Sequence, residues 1–451
     1  MKPRILDLSH SQLVELVGSL GEPPYRADQI AKWVYGGLVR SFDEMTDLPQ
    51  PFRQKLASNS YLFTSQPVDE RLSRDGQTRK VLFQLEDGKT IESAYMFYEP
   101  TDTSRERRTV CVSTQVGCSI RCPFCATGQQ GFERNLTTGE IVEQVLYFVW
   151  LAQAGDQRGV ASHGISEGVR DASRRESEEA QLQNPPESPF DKGGLKSMGM
   201  KRGQGFVPAG GLGVSPGSPI SPKSGGQGVE NRILGKSPSA LKMNPEMTSS
   251  QPAARRALTN VVFMGMGEPL ANYEAVKSAI AALNSKRGLG LGARQITVST
   301  VGLVPQIRRL VKEEVHVELA VSLHAASDRI RSVLVPVNRR YPLGKLIAVC
   351  QEYLQETGRR PTFEYALFNG INDSLDQAHR LTALLAGFEC HVNLIVGNPT
   401  PSKPFRPSVA RRVAAFQKEL TDGGISNTLR QSRGVDIEAG CGQLRSRRLM
   451  R

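Results

Sequence analysis

No stretch of this sequence is apolar for long enough to span a bilayer, and its opening, MKPRILDLSHSQLVELVG, is amphipathic rather than built like a secretory signal. No membrane partner is expected, and the chain is expected to be cytoplasmic. A paired cysteine framework is missing too. The seven cysteines are odd in number and four of them crowd between Cys111 and Cys125, which argues against a secreted disulfide scaffold and for a reducing compartment. There is no second C-x2-C pair and no nearby histidine to complete a structural zinc site. The glycines of the middle region form no phosphate loop, because no strand precedes them and no Gly-Lys-Ser/Thr follows.

What is present begins with CVSTQVGCSIRCPFCATGQQG, Cys111 to Gly131. Cys118, Cys122 and Cys125 are spaced C-x3-C-x2-C. Four-and-three spacing would share one helix face, but Pro123 would break that helix, so the run reads as a loop wrapped around a metal group. The small residues Gly117, Ser119, Ala126 and Gly128 would let backbone approach something bulky. Thiolates select zinc, copper(I) or iron–sulfur clusters. Three cysteines suit a [4Fe–4S] cluster with one iron left open; the plainer alternative is a zinc loop or buried thiols.

The net charge is +12 and the isoelectric point about 9.4, a balance compatible with a polyanionic partner. Candidate contacts are the basic runs Arg105–Arg108, Asn338–Arg340 and Arg445–Arg451. At 451 residues the chain is long enough for two or three domains. Residues 1–60 read as a small helical module, with a second helix over Arg26–Leu38. Residues 61–108 hold a β-hairpin around Asp87-Gly88. Residues 109–154 carry the cysteine loop and a helix that Thr137 and Glu140 would start with a capping box. Residues 155–257 are rich in Gly, Ser, Pro and charge and lack an apolar period, so they read as a disordered insertion. From 258 to 451, short β-branched runs alternate with helical stretches. That alternation predicts parallel βαβ units, and counting TVCVSTQ before the cysteine loop gives about six. The fold class is therefore α/β, a partial (β/α)6 barrel with ligand loops at the C-terminal strand ends.

Several motifs fall at those ends. Gly265-Met266-Gly267-Glu268-Pro269 would let backbone approach a ligand while Glu268 accepts from an ammonium; alone it reads as a plain turn. Ser299, the run Ser322-Leu323-His324, and Asn398 lie where they could reach a ribose or a carboxylate. Each is weak alone, and together they outline one pocket. Near the C terminus, Cys441 is flanked by glycines as on an exposed loop, whereas Cys350 and Cys390 read as inert buried thiols.

The C-x3-C-x2-C loop resembles the signature of the radical S-adenosylmethionine (SAM) enzymes. That likeness implies a [4Fe–4S] cluster on Cys118, Cys122 and Cys125, and SAM bound to the open iron and cleaved to a 5'-deoxyadenosyl radical. It also implies SAM contacts from Gly267, Glu268, Ser299, Ser322, Leu323, His324 and Asn398. The order E-S-A-Y, C-V-S-T-Q-V-G-C-x3-C-x2-C, G-M-G-E-P-L, S-L-H-A, N-P and R-G-x-D-I-x-A-x-C-G-Q-L is similar to the RlmN family over nearly the whole chain outside the insertion. The resemblance implies methylation of C2 of an adenosine in 23S rRNA and of one beside the tRNA anticodon, with two SAM per turnover. Cys441 would carry the methyl group, Cys111 would resolve the adduct through a transient disulfide with Cys441, and Glu92 would accept a proton. An electron donor such as flavodoxin or ferredoxin, a monomeric state and an RNA-contacting N-terminal module are implied as well. C8 methylation, as in the related Cfr family, and a non-catalytic iron–sulfur RNA-binding protein are the alternatives. Two departures stand out: Gly440 where the family usually has Ala, and Gly397 where an aromatic often precedes the Asn.

Overall fold

In the computed structural model the described residues are 2–101, 105–153, 257–398, 405–440 and 442–445. The segment expected to be an insertion lies, apart from Ala257, outside the described residues, and so do Cys441 and the last six residues.

The N-terminal module forms as its apolar periodicity requires. Helices α1 (His10–Ser19), α2 (Tyr25–Ala31) and α3 (Gln50–Asn59) bury Leu13, Val17, Ile30, Phe52 and Leu56 against one another. Ser9 and Gln12 close a capping box on α1. The expected single helix over Arg26–Leu38 instead becomes α2 followed by a π-helical turn, Lys32–Gly37, that ends on Leu38 in the left-handed region. Two consecutive glycines at 36 and 37 remove the side chains that would hold a tighter helix.

Twelve strands follow: β1 (Gln66–Leu72), β2 (Thr78–Gln84), β3 (Thr90–Tyr98), β4 (Arg107–Cys111), β5 (Gln115–Gly117), β6 (Phe132–Asn135), β7 (Asn260–Phe263), β8 (Ile296–Thr300), β9 (Glu318–Ser322), β10 (Thr362–Leu367), β11 (His391–Val396) and β12 (Asn427–Arg430). Ten of them make one sheet in the order β1-β2-β3-β4-β7-β8-β9-β10-β11-β12. From β4 through β12 every pairing in that sheet is parallel. The six expected parallel strands are all there, and β12 is a seventh. Its sequence, NTLR, is short, polar and half-exposed, so it carried no strand pattern; pairing with β11 makes it one.

The hairpin around Asp87-Gly88 forms in register, with Gln84 opposite Thr90 and Gly88 in the left-handed region. It extends the main sheet through β3–β4. β1 has no apolar alternation and is exposed along its length; pairing with β2 alone makes it a strand.

Helices α5 (Thr138–Gln153), α6 (Tyr273–Asn284), α7 (Val304–Val311), α8 (Asp328–Leu334), α9 (Leu343–Thr357), α10 (Leu375–Leu385) and α11 (Ala410–Asp422) alternate with the parallel strands, and α4 (Ala126–Gln129) is a single turn in the cysteine loop. The capping box of α5 is as expected: Glu140 N donates to Thr137 Oγ1 at 3.2 Å, and Thr137 N to Glu140 Oε2 at 2.9 Å. The N-terminal module docks on the same corner. Asp7 accepts from the Gly139 N–H, and Arg4 reaches Thr137 and Glu86.

Candidate active site

The cysteine loop is held by its base. β5 and β6 pair antiparallel, and Cys118 N donates to Gly131 O at 2.7 Å, so residues 118–131 leave and rejoin the fold at one point. Arg121 turns through the left-handed region and Cys125 caps α4, which makes the run a loop rather than one helix, as Pro123 requires. Cys118, Cys122 and Cys125 line one cavity, open to solvent, with about 1130 Å³ of empty space. Burial pushes the Cys118 thiol up to about 12 and Cys122 well above the usual range, and their neighbouring cysteines add to this. A donor set in this state needs a cation to become thiolate. Among the described residues no three His, Cys, Asp or Glu side chains converge as one metal ion would demand. Three cysteines lining one cavity are the soft donor set that an iron–sulfur cluster takes, each thiolate on a different iron.

The turn after β7 forms the next wall. Gly267 has φ +102°, and a Cβ there would lie 2.6 Å from the Gln115 side chain, so only glycine fits. Glu268 is fully buried, and burial raises its carboxyl to about 7 against the opposing hydrogen bonds. Its oxygens accept from Leu270 N at 3.0 Å and Val301 N at 2.9 Å, while its own N–H donates to Gln115 Oε1. Gln115 thus braces the turn, a role its place in CVSTQ did not signal.

Ser299, Ser322, His324 and Asn398 all face the same cavity. Ser299 and Ser322 come together because β8, β9 and β10 pair in parallel: Ser299 lies opposite Ala320 and Ser322 opposite Glu364. His324 is buried, in the left-handed region, and packs edge-on to Phe124 with ring centroids 5.1 Å apart. Leu323 is the one the fold does not bring in. Its side chain is in the main core, its N–H donates to Glu364 O, and its carbonyl accepts from Arg331 Nε. Alternation along the chain turns the middle residue of Ser-Leu-His away from its neighbours.

Both departures have local compensation. A Cβ at Gly397 would lie 2.5 Å from the Phe368 ring, so an aromatic from β10's end occupies the space beside Asn398. A Cβ at Gly440 would lie 2.7 Å from Gln443 Oε1 and 2.8 Å from Asn398 Nδ2, and Gly440 N donates to that same Gln443 oxygen at 3.0 Å.

A second group of residues lies on the adjoining part of the sheet. Across β2, β3 and β4, Lys80 is opposite Ala94 and Ala94 opposite Cys111; directly paired residues share a face, and Glu92, two residues before Ala94, is on it too. Glu92 is 1% exposed, not the exposed hairpin carboxylate its position in TIESAYM allows. Its Oε1 is 3.2 Å from Lys80 Nζ, and its Oε2 accepts the Arg445 N–H at 3.0 Å. Ile437 and Ala439 pack onto Ala94 and Cys111, seating the C-terminal segment on this face. Cys118, Cys122, Cys125, Cys350 and Cys390 are in no disulfide; the expected partner of Cys111, Cys441, is outside the described residues. Lys80 was missed in the sequence, although the hairpin register that Asp87-Gly88 implies would have put it on the same face as Glu92, as a diagonal neighbour.

The basic runs divide. Arg105, Arg107, Arg339 and Arg340 are exposed, whereas Asn338 is buried and accepts from Arg331 Nη1 at 2.8 Å. Arg445 is occupied by Glu438 at 3.0 Å. Cys350 and Cys390 are buried, with thiols pushed up by burial to about 12 and 11, as inert thiols would be.

A partial parallel α/β sheet with three cysteines in the loop after its first parallel strand defines a radical SAM enzyme. The family described as "Ribosomal RNA large subunit methyltransferase N-terminal domain" matches residues 4–62, and the radical SAM superfamily matches residues 250–381. The crystal structure of a radical SAM methyltransferase from Sphaerobacter thermophilus superposes with a TM-score of 0.71 at 40% identity, over 98% of this chain and 99% of that one. The probable dual-specificity RNA methyltransferase RlmN of Roseiflexus sp. (strain RS-1) is 40% identical over 98% of this chain and 96% of its own. The dual-specificity RNA methyltransferase RlmN of Anaeromyxobacter sp. (strain Fw109-5) is 38% identical over 98% and 90%. The chain belongs to the RlmN family of radical SAM methyltransferases. No helix among the described residues is long and apolar enough to cross a membrane.

Proposed function

We propose that this chain methylates C2 of an adenosine in the peptidyl-transferase centre of 23S rRNA, and of the adenosine beside the tRNA anticodon, by transfer through an S-methylcysteine at Cys441. The observation that carries this reading is the seating of Ile437 and Ala439 on Cys111 and Ala94, with Glu92 on the same face. A thiol, a buried carboxylate and the root of the loop bearing a second thiol thus meet at one place. The dual specificity in the relatives' names supports RNA as the substrate, with residues 1–60 as an RNA-contacting module.

C2 of adenine lies between two ring nitrogens and is too electron-poor to attack the methyl group of SAM as a nucleophile. When bound, the cluster and SAM supply the one-electron chemistry that makes a carbon radical available instead. Cys118, Cys122 and Cys125 hold the cluster. Gly267 and Glu268 hold the amino group of SAM, and Ser299, Ser322, His324 and Asn398 its ribose and carboxylate. Cys441 would carry the methyl group as an S-methyl thioether, and its S-bound methylene carbon would be the atom that joins C2. Glu92 accepts the C2 proton, contributing on the order of a hundredfold or more as a positioned base. The Cys111 thiolate sulfur then attacks the Cys441 sulfur, the S–C bond breaks as a disulfide forms, and the carbon leaves with the bonding pair and takes up a proton to become the methyl group. A small redox protein of the flavodoxin or ferredoxin type supplies electrons, and the chain works as a cytoplasmic monomer.

Mass spectrometry of adenosine from RNA modified by the reconstituted protein tests the position. 2-Methyladenosine is expected; 8-methyladenosine alone would assign the C8 reaction. A non-catalytic iron–sulfur RNA-binding protein would produce neither, and would need none of Cys111, Glu92 and Cys441.

A further inference from the structure

Lys80 is a lysine with 3% exposure in β2, the first strand of the hairpin around Asp87-Gly88. A long cation this deep is rare unless paired, and its surroundings are specific. Nζ is 3.2 Å from Glu92 Oε1, 3.4 Å from Glu92 Oε2 and 3.2 Å from the carbonyl oxygen of Glu438. The other end of the same C-terminal loop reaches the same carboxylate, through Arg445 N to Glu92 Oε2 at 3.0 Å. The loop is closed on itself by Arg445 Nη2 and the Glu438 carboxylate at 3.0 Å. Residues 438 and 445 bracket Cys441, so both ends of the segment that bears it are tied to one buried ion pair. Lys80 heads the cross-strand row that continues through Ala94 to Cys111, and Glu92 lies two residues before Ala94 on the same face.

We infer that Lys80 is a positioning residue: its ammonium fixes the direction of the buried Glu92 side chain and fastens the chain at Glu438, on the N-terminal side of Cys441, to it. The inference rests on the reading of Glu92 as proton acceptor. Without the Lys80 contact the Glu92 side chain loses a partner that fixes its direction and the Glu438 carbonyl loses a donor, and a base must lie within hydrogen-bond reach of the proton it removes. In the step concerned, the C2–H bond breaks, the proton passes to a Glu92 oxygen and the bonding pair stays with the ring. Lys80 gives up nothing and gains nothing; its contacts set the direction from which Glu92 meets the substrate.

The test uses the full-length, cluster-reconstituted protein under anaerobic conditions, reading self-methylation of Cys441 and release of the covalent protein–RNA adduct separately. For Lys80→Met, release is expected to slow by on the order of a hundredfold, the contribution of a positioned base, while self-methylation, which needs no base at C2, keeps its rate. Lys80→Arg, which retains the charge, should restore most of the release. Release from Lys80→Met at the wild-type rate, equal slowing of both steps, or Lys80→Arg no better than Lys80→Met would each overturn the inference. Lys80→Gln, uncharged but still able to donate to the Glu438 carbonyl, replaces Lys80→Met if the latter does not fold and carries the same outcomes. Glu92→Gln run alongside separates the two readings. If it releases adduct normally, the role of Glu92 has failed; if it is blocked while Lys80→Met is normal, only the role of Lys80 has.

Discussion

The Nδ1 of His324 accepts the backbone N–H of Ala366 at 3.0 Å, so in the neutral ring the proton is on Nε2. Burial, aided by the Arg331 charge, lowers His324 to about 3. Between that value and its ordinary 6.5 the unfolded chain binds a proton that the folded chain does not, so stability is lost as pH falls through this window. Glu268, raised to about 7 by burial, acts in the opposite sense above its ordinary value. The difference between wild type and His324→Gln isolates the histidine. From pH 7 to pH 5 the wild type should lose about 2 kcal/mol relative to the variant. Urea unfolding of the apoprotein at the two pH values checks this, and parallel curves would refute it.

Arg331 is fully buried in α8 and donates to four acceptors: Leu323 O at 3.0 Å, Asn338 Oδ1 at 2.8 Å, Val301 O at 2.7 Å and Ser322 O at 3.2 Å. It ties together the ends of β8 and β9 that carry Ser299 and Ser322. Arg331→Met should strand those acceptors and destabilise the fold by about 3–5 kcal/mol. A loss under about 1 kcal/mol in chemical denaturation would show that the strand ends are held otherwise.

Cys111 is buried beside Ala439, within the face on which Ile437 and Ala439 are seated. Under anaerobic turnover, Cys441→Ala should neither become self-methylated nor bind RNA covalently. Cys111→Ala should become self-methylated and accumulate a protein–RNA adduct, visible as a band shift on denaturing gels. Turnover by Cys111→Ala without any adduct would remove it from the resolving step.

The chain on either side of residues 156–256 is anchored in one core: Phe148 and Val149 from α5 cluster with Ala257 and Leu258, and Tyr95 Oη donates to Ala257 O at 3.2 Å. Replacing 156–256 by a short Gly/Ser linker should therefore leave soluble, folded protein with an unchanged thermal midpoint. Insoluble product would show that this segment contributes to the core.

Cluster binding gives a check that does not depend on RNA. Wild-type protein reconstituted anaerobically should take up four iron atoms with the charge-transfer absorbance of an iron–sulfur cluster, and Cys122→Ala should lose most of both. Cys350→Ala should retain them, since that thiol is buried inside α9 away from the cavity.

Local chemistry decided much of this protein, and the sequence reports local chemistry well. Pro123 forbids a helix through the cysteine loop, Thr137 and Glu140 begin α5, Asp87-Gly88 sets a hairpin register, and alternating β-branched and helical runs demand parallel units. Each depends on residues a few positions apart, where backbone geometry and periodicity act directly. The tertiary structure decided what depends on distant chain segments sharing one low-dielectric place. It buried Glu92 and supplied Lys80 to it, turned Leu323 into the core while its neighbours face the cavity, and made a strand of the polar run Asn427–Arg430 by pairing. It also filled the space beside Gly397 with the ring of Phe368. A side chain's charge, direction and company are set by what packs against it, and that is known only once the sheet has brought residues hundreds of positions apart onto one face.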